Sequence, residues 1–187
     1  MPDPITFDEL AIINQMMTGM GESPITDLTS TEPKVVVVNA NYAAVKYFCM
    51  TKSNWVDFMA KKALNRLSGT PINRWTYAFQ LPSDCLKVVT TWPPSTYQLM
   101  NRQLLSNEPT CQLDYIRNVE EAYWPAWFIR YVVAEGVVRM ALGILRKEPT
   151  AGMINERDTA LNDGYFLDAQ QQPNQTVHSN DFVDCRN

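Results

Sequence analysis

The sequence predicts a mainly α-helical protein with a small β insertion (an α+β fold), in which a helical bundle surrounds one long helix at about residues 125–146. Three observations lead to this prediction. The longest apolar stretch, WPAWFIRYVVAEGVVRMALGIL at residues 124–145, has helical periodicity. Two other segments repeat apolar residues at helical spacings, and short strand-forming runs follow them. The chain has 187 residues, of which 45% are hydrophobic and 19% charged, as expected for a globular domain.

The long helix is predicted to have a wide apolar arc and a polar side. Glu135 and Arg139 lie on the polar side, at the i,i+4 spacing of an ion pair. Arg130 falls inside the apolar arc, where an unpaired charge is costly. We expect Arg130 to extend towards solvent, to pair with Glu120 or Glu121, or to pair across a subunit boundary. The arc comprises Ile129, Val133, Ala134, Val137, Val138, Met140, Ala141, Ile144 and Leu145.

The same stretch is close to membrane-spanning length. Its charged residues favour a core helix of a soluble domain instead, and we expect no membrane contact. Gly136 and Gly143 lie on one strip beside the apolar arc, where they would let another helix approach closely.

Two helices are predicted before the strand-forming region. Thr6 and Glu9 have the spacing of a capping box, which predicts a helix at about residues 7–18. Residues 33–50 contain four consecutive valines, which favour a strand locally, but a stripe at helical spacing predicts a helix. The stripe comprises Val35, Val38, Tyr42, Val45 and Cys49.

The remaining segments complete the predicted architecture. Residues 54–67 fit either a strand or a short helix, and residues 75–116 predict a small antiparallel sheet inserted among the helices. A more polar helix is expected at about residues 150–171. Residues 1–171 are therefore predicted to form one domain, and residues 172–187 an extended polar tail.

The charge and cysteine content narrow the class of protein. The formal net charge is −4 and no basic block occurs, so the sequence lacks the pattern of a protein that grips nucleic acid. The cysteines are too far apart for a metal or redox motif, and we expect reduced thiols. The first residues lack the pattern of a signal peptide, which predicts synthesis in the cytoplasm. The cysteines are Cys49, Cys85, Cys111 and Cys185.

Residue patterns for catalysis are missing from the sequence. The single histidine, His178, lies in the polar tail, away from any rigid nucleophile. Glu120 and Glu121 are adjacent, whereas a glycosidase needs two carboxylates on opposite sides of a bond. No phosphate-binding glycine motif and no zinc-ligand spacing occurs. The sequence therefore predicts a non-enzyme without cofactor or metal. The five tryptophans are expected to be core residues or subunit-contact anchors.

Three stretches in order resemble a known family. Residues 13–28, INQMMTGMGESPITDL, resemble an opening helix followed by an IGE-x-P-V-x-x-L loop. Residues 75–89, WTYAFQLPSDCLKVV, resemble a W-x-Y-A-Y-x-L-P-x-D-C-L-x-V segment, and residues 113–116, LDYI, resemble a final strand before a long helix. Together they resemble the podophage tail tubular protein A family of head-to-tail adaptors, over about residues 8–167.

The resemblance implies a structural virion protein of the phage neck, assembled in the host cytoplasm. It implies a homo-oligomeric ring of twelve copies that joins the portal protein to the tail nozzle protein, of the tail tubular protein B type. Genome DNA would make transient contact with the ring as it passes through the channel.

The resemblance also implies roles for particular residues. In such adaptors the C-terminal segment often extends to grip the portal, which suggests docking residues in the tail. These are Val177, His178, Phe182 and Val183. Arg130, Glu120 and Glu121 are the candidate subunit-contact residues. The match fades after residue 167, before the tail begins.

The same sequence leaves two other functions open. A virion-associated cell-wall glycosidase would use carboxylates among Asp8, Glu9, Glu120 and Glu121. A different phage structural element, such as a stopper or tail-completion protein, would differ from an adaptor in its binding partner.

Overall fold

The computed structural model describes residues 7–69, 71 and 74–171, and within them it has four α-helices and six β-strands. The helices are α1 (Glu9–Gly19), α2 (Pro33–Thr51), α3 (Ala126–Leu145) and α4 (Ala151–Gln170). The strands are β1 (Met59–Ala63), β2 (Tyr77–Gln80), β3 (Cys85–Trp92), β4 (Tyr97–Met100), β5 (Gln103–Ser106) and β6 (Gln112–Arg117). Short 3-10 segments precede β1 (Val56–Phe58) and α3 (Glu121–Tyr123).

The described strands form two separate antiparallel sheets of three strands each. In the first sheet β6 lies between β1 and β3, and in the second β5 lies between β2 and β4. In the pairing of β1 with β6, Met59 lies opposite Ile116 and Ala63 opposite Gln112. The first sheet therefore joins segments of chain from before and after the whole second sheet.

The predicted helical bundle around the long helix is wrong. The described residues form an α+β fold of four helices and two three-stranded antiparallel sheets. The strand region exceeds the insertion predicted at 75–116 because β1 (Met59–Ala63) precedes that range. The sequence of β1, MAKKA, is short and partly polar, and its partner lies far along the chain. Local periodicity therefore left residues 54–67 ambiguous.

Helix α1 starts later than the capping box predicts. The Asp8 carboxylate caps the helix by accepting the backbone N–H of Ala11 at 2.7 Å, which satisfies one of the free amides of the first turn. The prediction of Thr6 as the capping residue is therefore wrong, and Thr6 itself lies outside the described residues.

Helix α2 confirms the prediction for residues 33–50, with Pro33 as its first residue. All residues of its predicted stripe are buried. The run of valines therefore follows helical packing rather than its local strand preference, because one face of the helix is covered by α3.

Helix α3 packs against α1, α2 and α4. A Cβ atom added at Gly136 would lie 2.5 Å from Met16 Sδ of α1, and one at Gly143 would lie 3.0 Å from Val37 Cγ1 of α2. The close approach predicted at both glycines is confirmed.

An aromatic cluster joins α3 to the segment before β1. The Phe128 ring of α3 lies 4.4 Å from the Phe58 ring and 5.1 Å from the Trp124 ring, measured between centroids, and both contacts are edge-to-face. Trp55 is fully buried and donates its indole N–H to the carbonyl of Cys49 at 2.9 Å. These contacts attach the start of the strand region to the helices.

Candidate interaction surfaces

The first motif stretch forms α1 and the loop after it. The Asn14 side chain connects the two, because its Nδ2 donates to the carbonyl of Ile25 at 3.0 Å and its Oδ1 accepts the N–H of Ile25 at 2.7 Å. Ile25 is buried. Gly21 has a φ of 80°, a left-handed conformation that lets the chain turn directly after the helix. These residues of the motif stabilise the fold.

The second and third motif stretches meet in the first sheet, where β3 pairs with β6. The Tyr115 hydroxyl of β6 donates to the Asp84 carboxylate at 3.3 Å, and the Asp84 carbonyl accepts the N–H of Asn118 at 2.8 Å. Burial and the nearby Asp84 charge raise the pKa of Tyr115. Two motifs that are separate in sequence therefore make one structural unit.

Arg130 lies on the side of α3 that faces α4. Its Nε donates to Glu156 Oε1 at 2.9 Å and its Nη1 to Asp163 Oδ2 at 2.7 Å, while 47% of the side chain remains exposed. These hydrogen bonds raise the pKa of the guanidinium. Within the described chain Arg130 therefore reaches towards solvent and pairs with two α4 carboxylates, not with Glu120 or Glu121.

Glu121 lies in the short 3-10 segment before α3, where it contacts two side chains of α2. Lys46 Nζ of α2 donates to Glu121 Oε1 at 2.7 Å, and the Tyr42 hydroxyl donates to the same oxygen at 3.2 Å. Burial, followed by the charge of Glu121, raises the pKa of Tyr42. Glu120 is exposed. The structure therefore does not bring together the three predicted subunit-contact residues within one chain.

Glu135, predicted to lie opposite the apolar arc of the long helix, is buried. The predicted i,i+4 ion pair with Arg139 is confirmed, and Arg157 of α4 lies 4.0 Å from the other carboxylate oxygen. The Arg139 guanidinium also lies over the Phe48 ring of α2, at 3.9 Å from its centroid. Neighbouring helices bury Glu135 because α3 packs against α2 on one side and α4 on the other.

The C-terminal half of α4 exposes a partly apolar surface, which we call the α4 surface. It surrounds a cleft of about 260 Å³. Phe166 is 65% exposed and Leu167 is 38% exposed. The buried positions of α4 are Ala160, Gly164 and Asp168. The α4 surface comprises Trp127, Arg130, Asp163, Phe166 and Leu167.

A second surface lies between α2 and the strands, and we call it the basic groove. Its volume is about 480 Å³. Lys87 Nζ donates to the carbonyl of Thr51 at 3.3 Å and to Asn54 Oδ1 at 3.0 Å. Arg102 follows β4 at a turn with positive φ. The residues that define this groove are Tyr47, Leu86, Lys87, Leu99 and Arg102.

The predicted portal-docking residues lie outside the described residues. These are Val177, His178, Phe182 and Val183. The described chain ends at Gln171, whose Nε2 donates to Asp57 Oδ2 at 3.1 Å. The last turn of α4 also holds Asp168, whose Oδ1 accepts the N–H of Val56 at 2.7 Å. The end of the described chain is therefore held beside the segment that precedes β1.

Sequence reasoning missed Lys46, Lys87 and Arg102. Lys46 is one turn after Tyr42 on α2, so its position beside the buried stripe was a usable signal. Lys87 and Arg102 belong to different strands and turns, and only the pairing of strands brings them to one groove.

None of the helices within the described ranges combines the length and the apolar character needed to cross a bilayer. In the same part of the chain, no cluster of three or more His, Cys, Asp or Glu side chains is arranged to hold a metal ion. The described cysteines Cys49, Cys85 and Cys111 are free thiols.

No protein-family model matches the chain, and no significant match was found among curated proteins.

Proposed function

We propose that the chain is a subunit of a phage head-to-tail adaptor ring that joins the portal to the tail nozzle and lets genome DNA pass. The observation that carries this proposal is the order and spacing of three motif stretches, at residues 13–28, 75–89 and 113–116. The family resemblance suggests twelve copies, a place in the neck of the virion and no catalytic role.

Two exposed apolar surfaces support a role in assembly. A ring built by rotation uses a different surface on each side of every subunit. The α4 surface and the basic groove belong to different elements, and each exposes large apolar side chains. Exposed aromatic residues such as Phe166 are the usual anchors of protein–protein contacts.

The charge of the chain also supports the proposal. The net charge is −4, and no block of basic residues occurs in the sequence. A channel wall without basic clusters releases few counterions on contact with DNA, so DNA adheres to it weakly.

The glycosidase alternative is less well supported by the geometry. Asp8 caps α1, and Glu121 is bound by Lys46 and Tyr42. Both carboxylates thus have structural roles. A protein that clears peptidoglycan, with activity lost in Glu121→Gln, would favour the enzyme.

The direct test is binding to isolated portal rings from the same virus. The full chain is expected to co-sediment with portal rings, and electron microscopy of the complex is expected to show a ring beneath the portal. A chain that binds only a lower tail component would be a tail-completion protein or stopper, and the proposed adaptor function would be wrong.

A deletion variant tests the predicted docking role of the tail. Deleting residues 172–187 removes Val177, His178, Phe182 and Val183 and is expected to weaken portal binding, with the circular dichroism of the domain unchanged. Co-sedimentation equal to that of the full chain would contradict the docking role of the tail.

A further inference from the structure

We propose that the α4 surface of one copy binds in the basic groove of a second copy. This inference rests on the proposed ring, and it assigns the two surfaces that would form the contact between neighbouring subunits. The occupant that we propose for the groove is a second copy of this chain. The reasons are the opposite charges of the two surfaces, their exposed apolar side chains and their separation on the subunit.

The groove carries positive charge without an acidic partner. Lys87 donates to the carbonyl of Thr51 and the side-chain oxygen of Asn54, and Arg102 Nη2 donates to the carbonyls of Pro82 and Ser83 at 2.9 and 3.0 Å. All four acceptors are neutral. Among the described residues, neither cation lies in an ion pair with a carboxylate.

The edge of the α4 surface has the opposite charge. Asp163 within the surface and Glu156, two turns earlier on α4, share the single guanidinium of Arg130, and the two carboxylate side chains remain 51% and 53% exposed. One negative charge is therefore left over at this site. The other basic residue of α4, Arg157, pairs with Asp158 and so does not neutralise this site.

In the single chain, both surfaces also expose apolar side chains to water. Phe166 is 65% exposed on the α4 surface, and Tyr47 and Leu99 are 53% and 47% exposed at the groove. An aromatic side chain that enters a pocket between an aromatic and an aliphatic residue is a typical anchor of an interface. The flanking charges would orient the two copies and speed their association.

The separation of the surfaces makes the contact head-to-tail. Helix α4 packs on α3, whereas the groove is formed by α2, the start of β3 and the β4–β5 hairpin. A contact between two α4 surfaces or between two grooves would place like charges together. The pairing of one α4 surface with one groove therefore leaves a free surface on each copy, and such head-to-tail contacts form a ring when the rotation between copies closes.

The test uses two variants of the full chain that each disable one surface. Phe166→Asp removes the anchor of the α4 surface and leaves the groove intact. The double variant Lys87→Glu/Arg102→Glu reverses the charge of the groove and leaves the α4 surface intact. The matched control is Lys62→Glu/Lys147→Glu, which makes the same change in net charge at two exposed lysines elsewhere.

Sedimentation velocity is run at chain concentrations high enough to detect self-association with a Kd of about 1 mM. The wild-type chain and the control variant are expected to associate beyond dimers, and each surface variant is expected to stay monomeric. An equal mixture of the two surface variants is expected to form dimers only, because one intact α4 surface meets one intact groove. Circular dichroism of every variant checks that the fold is retained.

Three results would overturn the inference: a monomeric wild-type chain, surface variants that associate like wild type, or a mixture that stays monomeric.

Portal binding tests the proposed function independently of this inference. A wild-type chain that binds portal rings but associates through other surfaces keeps the proposed function and loses the inference. A chain that self-associates as expected without binding portal keeps the inference and loses the adaptor function.

Discussion

The helices and the strands of this protein bury their apolar residues to different degrees. The four helices and the segments beside them share one large buried cluster, whereas the second sheet contributes to two small ones, one with Phe79 and Leu104 and the other with Trp75, Ala78 and Leu105. On the outer strand of that sheet, Leu99 and Met100 are 47% and 45% exposed. The comparison suggests that the helices supply most of the stability, while the strands supply surface for contacts.

The physical reason is layering. Helix α3 is covered by three other helices, so most of its circumference can be buried. The strands of the second sheet are four residues long, and alternate side chains of a strand point to opposite faces. The central strand β5 is covered on both faces, since Leu104 and Leu105 are buried, but the edge strand β4 is not, so Leu99 and Met100 stay exposed to solvent or to a partner.

The largest expected effect is loss of the aromatic centre of the helices. Phe128→Ala should lower the free energy of unfolding by about 3–5 kcal/mol, because the fully buried ring contacts Phe58 and Trp124 and a cavity would remain. Urea denaturation measures the loss. The control Phe166→Ala, at an exposed position, should change stability by no more than about 0.5 kcal/mol. Equal losses in both variants would contradict the comparison.

A smaller loss is expected from overpacking α3 against α1. Gly136→Ala places a methyl group against the buried Met16 side chain, at a cost of about 1–3 kcal/mol. The gain in helix propensity, about 1 kcal/mol, offsets only part of that cost. The matched control is Gly143→Ala, which has the same propensity gain but a less severe contact, 3.0 Å to Val37 Cγ1, and it should lose less stability than Gly136→Ala. Thermal unfolding compares the two, and a more stable Gly136→Ala variant would show that α1 does not pack closely there.

Alkaline pH should destabilise the helices through groups that burial keeps neutral. In the folded chain, the pKa values of Cys49, Tyr42 and Tyr131 are raised, mainly by burial. The unfolded chain ionises these groups at their ordinary values of 9.0 and 10.0. The contribution of Cys49 is complete below about pH 9, and those of Tyr42 and Tyr131 are complete below about pH 10. Above these values each contribution is lost by about 1.4 kcal/mol per pH unit.

Urea denaturation from neutral to alkaline pH measures this loss. Tyr42→Phe should flatten the alkaline slope, since it removes one of the ionising groups while keeping the ring. An unchanged slope in Tyr42→Phe would show that Tyr42 is not held neutral by burial.

The smallest effect is expected at an ion pair on the first sheet. Lys61 Nζ lies 3.6 Å from Asp114 Oδ2, and its side chain is 79% exposed. Lys61→Ala should therefore change the free energy of unfolding by less than about 1 kcal/mol, with further reduction in salt. A loss as large as that of Phe128→Ala would mean that the strands, too, contribute strongly to stability.

The helices were predictable because their information is local. The stripe of α2 and the apolar arc of α3 repeat within a few turns, so periodicity located both helices to within one or two residues. The strand pairing was not predictable in the same way, since Met59 meets Ile116 across a long segment of chain. The error in fold class follows from that difference.

The candidate surfaces show the same limit. Arg130 stood out in the sequence because a charge lay within an apolar arc, but its partners Glu156 and Asp163 are on another helix. The basic groove gave no sequence signal, because Lys87 and Arg102 become neighbours only through the sheets.

The sequence by itself determined the helices, the absence of a basic block and the motif order that suggests an adaptor, since each depends on residue types at short spacing. Only the tertiary structure decided the two-sheet architecture, the burial of Glu135 and the pairing of Arg130 with α4. Each of these depends on which distant segments meet, and packing of the whole chain determines that.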